Sequence, residues 1–148
     1  MQRQNIDSGN AFDWGKTSQD YGKFRDIYPP LFYQKIVERN CGTAGQEVLD
    51  IGTGTGVLPR NMYRFGAHWT GIDIAPNQIA EAKRLSAGME ISYLVSPAEE
   101  LDFAGKQFDC ITACQCYWYF DNQKASPVFA RLLKPHGKLL LLCMEWLP

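Results

Sequence analysis

The chain is predicted to fold as an open, doubly wound, mostly parallel α/β sheet, and three observations predict it. From Gln46 onward, short apolar runs of strand length alternate with helix-like stretches, the pattern of βαβ units. The first run ends in a cluster of glycines, at the place where an open parallel sheet offers a ligand site. Finally, 148 residues, 45% hydrophobic and 21% charged, suffice for one domain with one core and leave no room for two. The crossovers are expected to be right-handed, with the ligand at the carboxyl ends of the strands.

The elements follow in order. Residues 1–40 mix polar and aromatic side chains and read as an amino-terminal helical segment ahead of the regular part, 41–148. Ser18 is placed as the N-cap of a short helix through Arg25. Pro29 breaks that helix and Pro30 opens the next, which is expected to turn Leu31, Phe32, Ile36 and Val37 inward and to stop before Gly42. Strand runs are V-L-D-I (48–51), H-W-T-G-I-D-I (68–74), I-S-Y-L-V (91–95) and F-D-C-I-T-A-C (108–114). Helices fill the gaps: G-V-L-P-R-N-M-Y-R-F closed by Gly66, P-N-Q-I-A-E-A-K-R-L-S closed by Gly88, a turn over Pro97–Leu101, and a helix reaching Lys134. A P-H-G turn then leads into a fifth strand, K-L-L-L-L-C-M (138–144).

Composition narrows the partners. Fifteen Lys and Arg balance sixteen Asp and Glu, a net charge of −1, which argues against a nucleic-acid groove or a polybasic membrane face. The longest apolar run, Leu139 to Met144, is far shorter than the ~20 residues of a membrane helix. The first ten residues carry no apolar stretch of the secretory kind. Five cysteines, an odd number without a C-x-x-C pair, read as reduced thiols in a cytoplasmic protein.

The glycine loop carries the chemistry. Gly52, Gly54 and Gly56 alternate in V-L-D-I-G-T-G-T-G between a strand and a helix, where glycine permits tight turning and close approach of a ligand to the main chain. A dinucleotide loop calls for G-x-G-x-x-G, and Val57 stands where its third glycine would be. Asp50, two residues before Gly52, would repel a pyrophosphate but suits a cationic ligand. S-adenosylmethionine, with a sulfonium, an ammonium and no phosphate, is the cofactor this loop favours. Asp73 ends the next strand 21 positions after Gly52. It reads either as the acceptor for ribose hydroxyls or as a cap for the following helix. Ile74 beside it would cover adenine or join the core.

V-L-D-I-G-T-G-T-G-V-L, G-I-D-I-A-P-N-Q-I, S-P-A-E-E-L-D-F, Q-F-D-C-I-T-A-C-Q-C and L-L-K-P-H-G-K-L-L-L, in this order and spacing, resemble class I S-adenosylmethionine-dependent methyltransferases. The similarity is greatest to the small-molecule branch that contains ubiquinone-biosynthesis-type enzymes, and it covers about residues 20 to 145. It implies a Rossmann-like sheet ordered 3-2-1-4-5-7-6, of which five strands, 3-2-1-4-5, are legible here and the last two are missing. It implies that Gly52, Thr53 and Gly54 hold the methionine part, that Asp73 holds the ribose, and that Gln78 belongs to the cofactor set. Relatives carry an acid before Ala-Glu after the third strand. Here Ser96-Pro97 stands in its place, so the adenine contact falls to Ser96, the Ala98 backbone or Glu99, with Glu99 alternatively a solvated helix-start residue. Residues 1–40 would form a lid, with Tyr21 and Arg25 one turn apart to meet the cofactor's carboxylate, or else a packing tyrosine and a solvated arginine.

After the fourth strand, Gln115 is a candidate for the methionine end. Tyr117, Trp118 and Tyr119 would either wall the sulfonium or pack the next helix. Cys110, Cys114 and Cys116 fit no zinc spacing, and no metal is expected. His68 and His136 read as structural or solvated, and no catalytic residue is singled out. The expected activity is methyl transfer to an unidentified small molecule. Its rivals are a nicotinamide-dependent oxidoreductase and a cofactor-binding module without turnover. The uncovered edge at Leu139 to Met144 implies either that the sequence is a fragment of a longer protein, truncated after the fifth strand, or that a partner chain, such as a second copy in a homodimer, covers it.

Overall fold

The computed structural model describes residues 28–143; the Ser18–Arg25 helix, with Tyr21 and Arg25, and Met144 lie outside the described residues. Five strands form one sheet: β1 (Glu47–Ile51), β2 (His68–Asp73), β3 (Ser92–Val95), β4 (Phe108–Cys114) and β5 (Leu133–Leu142). Their order is β3-β2-β1-β4-β5 and every pairing is parallel, as the α/β reading requires. The four α-helices among the described residues are α1 (Pro30–Glu38), α2 (Val57–Met62), α3 (Pro76–Leu85) and α4 (Asn122–Leu132).

Strand alternation sends the central residues to two cores. Leu49, Ile51, Ile72, Ile111 and Ala113 face α4, where Ala125, Phe129 and Leu132 are buried against them. Val48, Trp69, Cys110 and Leu140 face the other way and meet Tyr33 and Ile36 of α1 and Leu58 and Met62 of α2. On that side α3 buries Ile79 and Ala82 against Tyr93. Asp121 caps α4, its Oδ1 accepting from Gln123 N at 3.2 Å. Helices on both faces leave the carboxyl edge of the sheet for a ligand.

Three local expectations are corrected. Leu31 points to solvent, 60% exposed, and Tyr33 is buried in its place. Tyr33 lies three residues before Ile36 on one helix face, whereas Leu31 is set round the helix away from it. The fifth strand begins at Leu133, five residues earlier than the P-H-G turn implied, because Leu133 already pairs with Phe108. The chain then loops out and resumes pairing at Lys138 opposite Cys110, with His136 in the left-handed region (φ 65°). The P-H-G turn is therefore a bulge within a strand. The helix before it ends at Leu132, and a separate 3-10 turn covers Tyr117–Tyr119.

Candidate functional site

The loop after β1 is held in a conformation that demands glycine three times. Gly52, Gly54 and Gly56 have φ of 64°, 58° and 77°, all in the left-handed region. Backbone bonds stitch the loop to its neighbours: Thr53 N donates to Ile72 O (2.8 Å) and Gly56 N to Thr53 O (2.9 Å). On the β4 side the Cys116 thiol donates to Ile51 O at 3.2 Å, and Cys116 packs so closely on Gly52 that a side chain there would strike its sulfur. The Cys116 thiol is pushed far up by burial, with Asp50 nearby adding to the effect, so it acts as a small neutral packing group.

Asp73 is the hub. Its Oδ2 accepts from Gly54 N (2.9 Å) and its Oδ1 from Ala75 N (2.9 Å), while its carbonyl accepts from Ser96 N (3.0 Å). One residue thus joins the glycine loop, the turn into α3 and the end of β3. The N-cap of α3 is Ala75, without a side-chain cap, so Asp73 closes the turn before the helix rather than capping the helix itself. Burial raises its pKa despite the backbone bonds that favour its charge. Two backbone partners leave a carboxylate with accepting capacity to spare.

Asp50 is buried deeper than its place in the sequence suggested. The sequence places it at the end of the strand, two residues before Gly52. It lies instead one residue inside the end of β1, in register with Thr112 of β4, and is 2% exposed. Thr112 Oγ1 donates to Asp50 Oδ1 at 2.7 Å. The Thr53 hydroxyl is near enough to favour the charged carboxylate, although it stands outside good hydrogen-bond geometry. Burial dominates, Asp73 adds like charge, and the Asp50 pKa is pushed up to about 7. Among the described residues the groups acting on Asp50 are Thr112, Thr53 and Asp73, none of them a cation.

The remaining candidates divide. Ile74, next to Asp73, is 66% exposed and so is not core. Gln78 is buried in the first turn of α3 beside Ile79. Gln115 ends β4 in a left-handed conformation (φ 56°), unusual for a side chain of its size, and its Nε2 donates to Tyr28 Oη at 2.7 Å. Ala98 is buried in the α4-side core. Glu99 is half-buried rather than solvated, and its Oε1 accepts from Asp121 N (3.0 Å), which ties the turn after β3 to the start of α4. Asp50, Gly52, Thr53, Gly54 and Asp73 therefore form one connected group. Gln115 adjoins it through Cys116, and Glu99 is directed toward α4. Tyr117 packs with Phe120 (6.3 Å between ring centroids) on the α4 core, the packing alternative of the two readings. Among the described residues no cluster of His, Cys, Asp and Glu is arranged to hold a metal ion.

Thr112, Tyr93 and Tyr28 escaped the sequence reading. Pairing 48–51 with 110–113 would have placed Thr112 beside Asp50. Tyr28 gives no such signal, because its contact with Gln115 spans 87 positions.

An open parallel sheet in this order, with a glycine loop, a buried Asp50 and a half-buried Asp73 at its carboxyl edge, is the frame of a nucleoside-cofactor domain. A profile of the methyltransferase domain matches residues 49–141, and the chain belongs to that family. It is 35% identical over 126 residues to a ubiquinone biosynthesis O-methyltransferase of Salmonella paratyphi A, a match covering 80% of this chain and 51% of that protein. The chain thus spans about half the length of the curated relatives it matches. Among solved structures, a putative S-adenosyl-L-methionine-dependent methyltransferase of Methanococcus maripaludis superposes with a TM-score of 0.78 at 21% identity, covering 90% of this chain and 65% of that one. A Haemonchus contortus phosphoethanolamine N-methyltransferase, in complex with phosphomonomethylethanolamine and S-adenosylhomocysteine, superposes with a TM-score of 0.74 at 27% identity, covering 86% and 32%.

Proposed function

We propose that the chain is the cofactor-binding part of an S-adenosylmethionine-dependent methyltransferase acting on a small-molecule acceptor. One observation carries the reading: a buried Asp50 without a cationic partner among the described residues, directly beneath a loop of three left-handed glycines. A diphosphate brought there would meet two carboxylates, and an ammonium or sulfonium would be stabilised by them.

The residues present fit that cofactor by their chemistry. Gly52, Thr53 and Gly54 offer approachable backbone to the methionine part, and Asp50 offers it negative charge. Asp73 has accepting capacity for ribose hydroxyls, and Ile74 exposes an apolar side chain beside it for adenine. Ala98 and Glu99 flank the adenine side, Gln78 supports it from α3, and Gln115 borders the methionine end. Tyr21 and Arg25 lie outside the described residues, and our reading of them as part of an amino-terminal lid that meets the cofactor's carboxylate is supported by the Tyr28–Gln115 bond, which brings the chain just before α1 to this edge. Bound there, S-adenosylmethionine supplies a methyl group activated for in-line displacement. The chain's own residues bind and orient, and orientation is where such transfers gain most of their rate. We place the protein in the cytoplasm; among the described residues no helix is long and apolar enough to cross a membrane. We also assign a homodimer through the free edge of β5, where Leu139 and Leu141 are exposed.

Calorimetric titration with S-adenosylhomocysteine and with NADH tests the reading; tight binding of NADH alone overturns it. Profiling with methyl-labelled cofactor then separates turnover from a second reading, a module that binds without turning over.

A further inference from the structure

Gly71 lies in the middle of β2, in register with Asp50 of β1 on one side and Tyr93 of β3 on the other. Its backbone is not among the left-handed glycines, so conformational freedom does not explain a glycine there. Space does. A β-carbon at this position would lie 2.7 Å from Thr53 Oγ1, 2.9 Å from Thr53 Cγ2 and 2.9 Å from Tyr93 Cδ1. Thr53, from the middle of the glycine loop, is buried in the hollow that the absent side chain leaves.

We propose that Gly71 is a positioning residue for the cofactor loop: its bare strand face is the seat into which Thr53 locks, and filling that seat unseats the loop. The inference rests on the assignment of Gly52–Gly56 as the cofactor-binding loop. Neither neighbour can retreat freely. The Tyr93 hydroxyl is bonded to buried Ser86 (2.8 Å), and its ring lies against Gly56, where a side chain would collide with it. Thr53 is β-branched and sets both Oγ1 and Cγ2 against Gly71, so turning χ1 to another staggered position still leaves one heavy atom in the seat, and with Thr53 N bonded to Ile72 O, next to Gly71, the side chain clears it only if the loop backbone moves. That movement reaches Gly54 N, the donor to Asp73, and disturbs both anchors of the loop together. Thr53 would also withdraw its hydroxyl from Asp50.

The test is a double-variant cycle on the full 148-residue chain, reading S-adenosylhomocysteine affinity by calorimetry and melting temperature in parallel. Gly71→Ala is expected to weaken binding about tenfold or more, as overpacking at a rigid site does. In a Thr53→Ala background, which removes the two contacts with Thr53 and leaves the one with Tyr93, the same change is expected to cost at least about threefold less than it does in the wild-type chain. Wild-type affinity in Gly71→Ala, or an undiminished loss in the Thr53→Ala background, overturns the proposal, because the effect then does not run through Thr53. Should Gly71→Ala fail to fold, recovery of folding and binding in Gly71→Ala/Thr53→Ala supports it, and a double variant that also fails to fold overturns it. A wild-type chain that binds no S-adenosylhomocysteine overturns the cofactor reading itself, an outcome distinct from all of these.

Discussion

At the amino end of β1, Glu47 lies 3.1 Å from His68 Nδ1 and 3.2 Å from Lys106 Nζ. Close by, Asp109 Oδ2 accepts from Glu47 N (2.8 Å) and from Lys134 Nζ (3.2 Å). Burial alone would raise the Glu47 pKa, but its bonds to His68 and Lys106 outweigh it and hold the carboxyl below its usual range. Asp109 is lowered by the Glu47 N–H first and by Lys134 after it. Three residues further along the same strand, Asp50 is buried without such a partner and is pushed up to about 7, and Asp73 is raised beside it. One sheet thus carries paired carboxylates where it only needs to stay folded, and costly ones where the loop forms. A buried charge lacking its counter-ion is a stability cost that a cationic ligand removes.

Asp50→Asn is expected to give the largest effect. Because the folded state holds a proton that the unfolded chain gives up above about pH 4, wild-type stability falls as pH rises from about 4 to about 7. A rise of about three pKa units corresponds to roughly 4 kcal/mol as an upper bound. Asparagine keeps an acceptor for Thr112 and carries no charge. The variant should therefore melt higher than wild type at pH 8, show no such gain at pH 4, and bind S-adenosylhomocysteine at least tenfold more weakly. Denaturation at the two pH values, with calorimetry, checks this; a variant that is destabilised at pH 8 breaks the contrast.

A crossed pair sharpens the comparison next. Asp73→Ala removes the acceptor for Gly54 N and Ala75 N and should lower S-adenosylhomocysteine affinity about a hundredfold, near 3 kcal/mol. Asp109→Ala, at the opposite end, should leave that affinity within about twofold and cost about 1–2 kcal/mol of stability. Equal losses of affinity in both variants would mean that the two ends are not functionally separate.

Much of this contrast was legible in the sequence. The run 108–114 and the glycine alternation are read correctly because apolar period and glycine placement are local signals. Asp50 and Asp73 were picked out for the same reason. The failures are non-local. Strand register buries Asp50 against Thr112, a partner the sequence reading did not name, and register is a property of two strands. Tyr33 is missing from the inward set 31, 32, 36 and 37, although it stands one turn before Ile36 on the face that packs into the core. The importance of Gly71 depends on a Thr53 side chain 18 positions away folding back over it, which no periodicity reveals.

The acid limb offers a smaller test with the opposite sign. Glu47 and Asp109 have lowered pKa values, so their contribution to stability is complete above the unfolded values near 4 and is lost as pH falls through the lower folded ones. Asp50 and Asp73 work in reverse over the range above about 4. The two ends together place the stability maximum of the cofactor-free chain near pH 4–5, below neutrality. Glu47→Gln/Asp109→Asn should flatten the loss below about pH 4, a change of about 1 kcal/mol, and leave the decline toward pH 7 untouched. Saturating S-adenosylmethionine should do the converse: its positive charge favours ionised Asp50, so binding releases a proton near neutral pH and moves the maximum upward. If cofactor left the neutral limb unchanged, Asp50 would not be the group that meets its charge.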